Sequence, residues 1–210
     1  MPTIFTKDHL RASVEAATGG KITVLYTAKG QPSYMFVNPH FYIEDVDATL
    51  GAGSHPMFIV DGVVRTERFI GAYPGVVKNG ELLSLPGMDP SASASFDTFL
   101  TYARACGAGW GLATHMDYNG LALWCKKNGF IPRGNTDYGR SSDATYETGV
   151  RGDGALPGVA SGAARTLTGS GPAAWRHNNS HAGISDLVGN VWEWAPGFRL
   201  VAGELQVIAN

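Results

Sequence analysis

The sequence predicts an α+β domain built from small antiparallel sheets, two helices and long glycine-rich loops. Three observations point there. First, short apolar runs flank two-residue turn signals. Asp61-Gly62 separates Phe58-Ile59-Val60 from Val63-Val64, and Asn79-Gly80 separates Val76-Val77 from Leu82-Leu83. Each is the pattern of a tight hairpin. Second, two later stretches carry apolar residues at helical spacing. Third, residues 134–171 are almost all Gly, Ser, Thr, Asp and Arg, in a chain with 28 Gly and 11 Pro. That composition suits turns and irregular loops.

In chain order, residues 7–18 place Leu10, Val14 and Ala17 on one helical face, and Gly19-Gly20 stops the helix. Residues 21–26 and 33–37 read as two strands of a hairpin across a turn at 27–32. Residues 1–39 read as a helix/hairpin extension ahead of a domain at 40–210, either an attachment or oligomerisation element or an extension packed on the domain. Glu44, Asp45 and Asp47 cluster without EF-hand spacing, which makes them a solvated loop. His55 has no second histidine at ligand spacing and reads as structural. Residues 68–73 are a further strand.

Ser95 or Asp97 caps a helix from Phe96 to Ala105, with Phe96, Phe99, Leu100 and Ala103 on one face. Gly107 to Gly111 break it. The second helix carries Tyr118, Leu121, Ala122, Trp124 and Cys125, and Asn128-Gly129 ends it. The segment from Gly183 to Trp194 is the most apolar part of the second half. It reads as a buried turn running into a core strand, with Trp192 and Trp194 on one face. The last eight residues, 203–210, alternate like a strand that pairs with a neighbour or with residues beyond them.

Composition narrows the function classes. Charged residues are only 16 %, net charge is −2 and the pI is about 6.3, with no basic stripe, so nucleic acid is not an expected partner. No apolar run of 18 residues supports membrane insertion, and residues 1–20 lack the apolar core of a secretory signal. Two cysteines, Cys106 and Cys125, are too few for a disulfide framework and form no CxxC zinc pattern. They make one bridge or two buried free thiols, and the burial habit of free cysteine favours the second.

The stretch Gly183-Ile184-Ser185-Asp186-Leu187-Val188-Gly189-Asn190-Val191-Trp192-Glu193-Trp194 resembles the G-L-Y-D-M-x-G-N-V-W-E-W signature of the formylglycine-generating enzyme (sulfatase-modifying factor) family. Trp110 to Thr114 with the helix after it is similar to that family's R-L-P-T-E-A-E-W-E-Y-A block, although Gly111 stands for the Arg and Ala113 for the Pro. Pro132 to Asn135 resembles P-W-G-N, and Gly197 to Leu200 the closing G-F-R-L strand. The likeness covers roughly residues 40–205. It implies a variant of the C-type lectin fold, and a calcium ion as cofactor. The implied ligands are the side chains of Asp186 and Glu193 and the carbonyls of Gly189 and Val191.

The resemblance does not carry the oxidase activity across. The family's active cysteines lie well after the Trp-Glu-Trp motif, whereas only sixteen residues follow Trp194 and none is cysteine. Residues 58–73, 134–144 and 164–177 instead look like phage and prophage proteins of this fold. The expected function is therefore a non-enzymatic, tail-associated or receptor-binding protein of a phage virion, made in the bacterial cytoplasm. Its expected partners are a bacterial surface glycan or protein and other phage structural proteins, and it is expected to be a homo-oligomer. The alternatives are a formylglycine-generating-enzyme-like oxidase and a capsid-decoration or tail-assembly protein. Binding residues usually sit on loops of a rigid scaffold, so the ligand candidates are Tyr138, Arg140, Tyr146, Trp175, Arg176 and Asn178 in the loops at 134–182.

Overall fold

A computed structural model describes residues 8–207. It is a mixed α+β structure with four α-helices and small antiparallel sheets. Helix α1 (His9–Thr18) is capped by the Asp8 carboxylate, which accepts from Arg11 N, and ends on Gly19 in the left-handed region. The first residue of the expected helix, Lys7, lies outside the described residues. Strands β1 (Ile22–Tyr26) and β2 (Pro32–Pro39) form the expected hairpin.

Helix α2 (Ile43–Asp47) replaces the expected acidic loop. Its acids are local fasteners. Asp45 closes a capping box, the Glu44 carboxylate accepts from Gly53 N at 2.7 Å, and Asp47 pairs with Lys126 at 2.5 Å. Strands β3 (Ile59–Val60) and β4 (Val63–Val64) turn on Asp61 and Gly62, both at positive φ. Strand β5 (Glu67–Gly71) pairs with β2, completing a three-stranded sheet in the order β1-β2-β5. Strands β6 (Gly75–Lys78) and β7 (Glu81–Ser84) turn on Asn79-Gly80 in the same way.

Helix α3 (Phe96–Ala105) starts on Ser95, whose hydroxyl accepts from Thr98 N. Helix α4 (His115–Lys127) starts on a capping box between Thr114 and Asp117. Asp117 also takes a two-pronged bond from Arg68 of β5, at 3.0 and 3.3 Å, so one carboxylate joins helix start to sheet. Gly120 sits in mid-helix because a Cβ there would lie 2.1 Å from Met57 Sδ. Strands β8 (Phe198–Val201) and β9 (Glu204–Val207) form a hairpin of their own, which gives the expected final strand a partner within the chain; its residues 208–210 lie outside the described residues. Among the described residues no helix is long and apolar enough to cross a membrane.

The core joins Ile22, Phe36, Met57, Phe58, Ile70, Ala72, Leu121 and Ile184. The hairpin at 22–39 thus supplies core side chains and a sheet neighbour to the rest of the chain. Two buried histidines lie in or against this core. His55 accepts from Met57 N through Nδ1 and meets Asn119 Oδ1 at 2.9 Å through Nε2, a structural role as expected. His177 accepts from Ile184 N at 2.9 Å and lies edge-on to Phe36 and Trp124. Cys106, the C-cap of α3, and Cys125 on α4 are buried free thiols.

The segment 183–194 departs from the sequence reading. Its first half is buried as expected: Ser185 donates from N and Oγ to the Ala72 carbonyl, and Ile184 enters the core. Then Asp186, Gly189 and Asn190 all take positive φ, which breaks the pleat that period-two burial requires. Trp192 is 102 % exposed and Trp194 is 51 % exposed, so neither is a core residue.

Candidate functional site

Residues 134–171 contain no helix and no multi-residue strand, only isolated bridges such as Arg140 to Thr148 and Arg151 to Thr166. What holds them is a set of buried polar side chains. Arg151 is the largest contributor. Its guanidinium donates to Val159 O at 2.7 Å, Leu156 O at 3.3 Å, Ala163 O at 3.2 Å and Ser161 O, and pairs with Asp153 at 2.6 Å. One planar fork with five donors can satisfy that many acceptors, and a lysine cannot. The Tyr138 ring lies against the same guanidinium at 5.7 Å.

Asn135 ties the start of the loop to its end. Its amide donates to Ala164 O at 2.9 Å and to Asn190 Oδ1 at 3.2 Å, and its Oδ1 accepts from Gly139 N at 2.6 Å. Asn190 Oδ1 accepts from Thr166 N at 2.7 Å. Gly134 is required where this segment crosses 188–190, since a Cβ there would lie 1.7 Å from Val188 O. Glu147 is the third anchor. It accepts from Arg133 and from Trp175 Nε1, and the Arg133 hydrogen bonds hold its carboxyl below the ordinary range.

These anchors sort the expected ligand residues. Trp175 is buried and its indole is spent on Glu147. Arg176 is buried under Tyr73, with bonds to Gly183 O and Gly169 O, both at 3.1 Å. Both belong to the scaffold and not to a contact surface, a correction that follows from the need of buried polar groups for internal partners. Asn178 is half-buried and bonds within its own turn, to Ala182 O. Tyr138 and Arg140 are half-buried, with Arg140 paired to Asp137 at 2.7 Å. Tyr146 is 82 % exposed and fits the expectation of a contact residue. Leu156, 75 % exposed, and Val150 and Val159, also exposed, are contact candidates outside the expected set. Large apolar residues in a Gly/Ser-rich stretch were the signal that could have found them.

The expected metal ligands lie on the tightly wound turn after Ser185. Asp186 Oδ2 accepts from Gly169 N at 2.7 Å, while Oδ1 is buried without a protein partner. Glu193 is exposed as a residue, and its carboxylate accepts from Tyr118 Oη at 3.0 Å. Burial pushes the carboxyl of each above its ordinary range, and the charge of Asp186 adds to the effect on Glu193. The buried Asp186 Oδ1 without a partner is an oxygen that a hard cation would satisfy. Among the described residues no group of three or more His, Cys, Asp or Glu side chains could hold a metal, so any further oxygens would be carbonyls or water.

The two thiols offer no nucleophile. Burial raises both, and each donates to a backbone carbonyl, Cys106 to Leu82 and Cys125 to His177. No family model matches the chain, and no curated protein matches it.

Proposed function

We propose that this chain is a non-enzymatic, receptor-binding protein of a phage particle, which holds a bacterial surface glycan or protein on the outer face of residues 134–171. The observation that carries the reading is the contrast within that loop. Its inner side is fixed by Arg151, Asn135 and Glu147, while Tyr146, Val150, Leu156 and Val159 face solvent. A chain that orders about forty residues without helix or sheet, and then leaves large apolar side chains outside, has the character of a recognition surface. In this reading the protein is made in the bacterial cytoplasm and carried on the virion as an oligomer, where weak contacts add through multivalency. A calcium ion held by Asp186 and Glu193, with the carbonyls of Gly189 and Val191, would neutralise the two carboxylates and fix the turn that meets Asn135.

One observation favours a second reading, a particle-assembly role. The β8–β9 hairpin exposes Phe198, Leu200, Leu205 and Val207, which its register places on one face. The oxidase reading lacks such support, since both thiols are buried and unpaired, Cys106 at the C-cap of α3 and Cys125 on α4. The test is binding of the labelled protein to a panel of bacterial strains. Binding to a subset supports the receptor reading. Binding to none, together with ordered incorporation into particles, supports assembly.

A further inference from the structure

A second surface is independent of the loop face. Segment 187–194 forms one wall of a cleft whose other walls include Trp110, Phe99 on α3 and Tyr118 on α4. The cavity is about 160 Å³, where a single water needs about 10–15 Å³, so a small ring fits. Two tryptophans border it in different states. Trp194 is fixed, with its indole Nε1 donating to Ala94 O at 3.1 Å and its ring edge-on to Phe96 at 6.2 Å. Trp192 is wholly exposed. An aromatic side chain of this kind offers roughly 150–250 Å² of apolar surface.

The polar groups of the cleft select among ligands. No Lys, Arg or His lines it. An anionic ligand would meet Glu193 with no counter-charge. Asp117 is already consumed by Arg68 and Thr114. The remaining carboxylate, Glu193, is paired with Tyr118 Oη at 3.0 Å. A ligand entering between them must donate to the carboxylate and accept from the phenol. A hydroxyl does both, whereas an ammonium group only donates. A wholly apolar ring would leave the pair desolvated without new partners.

We propose that this cleft is a binding site for a neutral hexopyranose unit, with the C–H face of the sugar on Trp192 and its hydroxyl edge at Tyr118 Oη and the Glu193 Oε2 that it engages, which leaves Glu193 Oε1 to the cation. The site stands apart from the loop face and does not depend on the loop being the receptor surface. A flat ring with one apolar face and a rim of hydroxyls matches both the tryptophan wall and the donor–acceptor pair, and a single small site of this kind binds weakly unless repeated in an oligomer.

The test is a tryptophan-fluorescence titration of the full chain with glucose, galactose and N-acetylglucosamine, and with choline chloride and sodium acetate as the cationic and anionic arms. The expected result is a saturable change with at least one neutral sugar and none with choline or acetate. Trp192→Ala, at a fully exposed position, should keep its melting temperature and weaken sugar binding about tenfold or more. Saturation by choline or acetate in place of sugar would overturn the assignment, as would no saturation with any of the sugars. So would Trp192→Ala binding sugar as tightly as the parent. Strain binding by the loop face is read separately, through Tyr146 and Leu156 variants, so failure here leaves that reading standing.

Discussion

Acidification should destabilise this protein through His177. The imidazole is buried between Phe36 and Trp124 and accepts from Ile184 N at 2.9 Å, so the neutral ring is the form that fits. Burial lowers its pKa from 6.5 to about 4. Between those values the unfolded chain binds the proton and the folded one does not, so stability falls as pH falls through this window. From the two pKa values, the loss between pH 7.5 and pH 4.5 is about 2.5 kcal/mol from this one group, a large part of the stability of an ordinary domain. His177→Asn retains an acceptor for Ile184 N without a titrating ring. The variant should start about 2–4 kcal/mol less stable, because it leaves a cavity, and should lack that pH-dependent loss. Urea unfolding of both proteins across the pH range gives the difference directly. His55, whose pKa burial also lowers, acts alike in both and cancels. Parallel stability-against-pH curves for parent and variant would refute the reasoning.

Other perturbations follow from the same structure. Arg151→Met should cost about 3–5 kcal/mol, because it leaves several part-buried carbonyls without their donor, and limited proteolysis should then cut within 151–166. Arg151→Lys should rescue little of that order, since an ammonium cannot span the same acceptors. Without calcium, the raised carboxyls of Asp186 and Glu193 bind protons more tightly folded than unfolded, so their contribution to stability falls as pH rises from the ordinary carboxylate range through the raised values. Calcium at about a hundred times its Kd should then add about 2.7 kcal/mol to the parent and nothing to Asp186→Asn, measured by thermal melting with calcium and with chelator. An unchanged parent melting temperature would count against the calcium site. Cys106 and Cys125 should label with a thiol reagent only as fast as the chain opens, and rapid native labelling of either would contradict their burial.

The hairpins were legible because their information is local. Asp61-Gly62 and Asn79-Gly80 need only the left-handed preference of those residues and the apolar runs beside them. The same holds for Ser95 as a helix cap. The tryptophans of 192–194 misled because period two implies burial only while the backbone stays pleated, and left-handed residues at 186, 189 and 190 end the pleat just before them. Trp175 and Arg176 misled for a different reason. Their types suit a contact surface, but their partners, Glu147, Gly169 and Gly183, are contributed by other turns of an irregular loop. Arg151 was visible only as one basic residue among several, since its role depends on four carbonyls that no periodicity brings together.

The most direct measurement is strain binding by the double variant Tyr146→Ser/Leu156→Ser beside the parent, on a strain that the parent binds. Both side chains point to water, so the melting temperature should hold within a degree or two of the parent. The loop-face account predicts that binding falls about tenfold or more while the fold is kept. Undiminished binding by the folded double variant would contradict it and place the receptor contact elsewhere on the molecule.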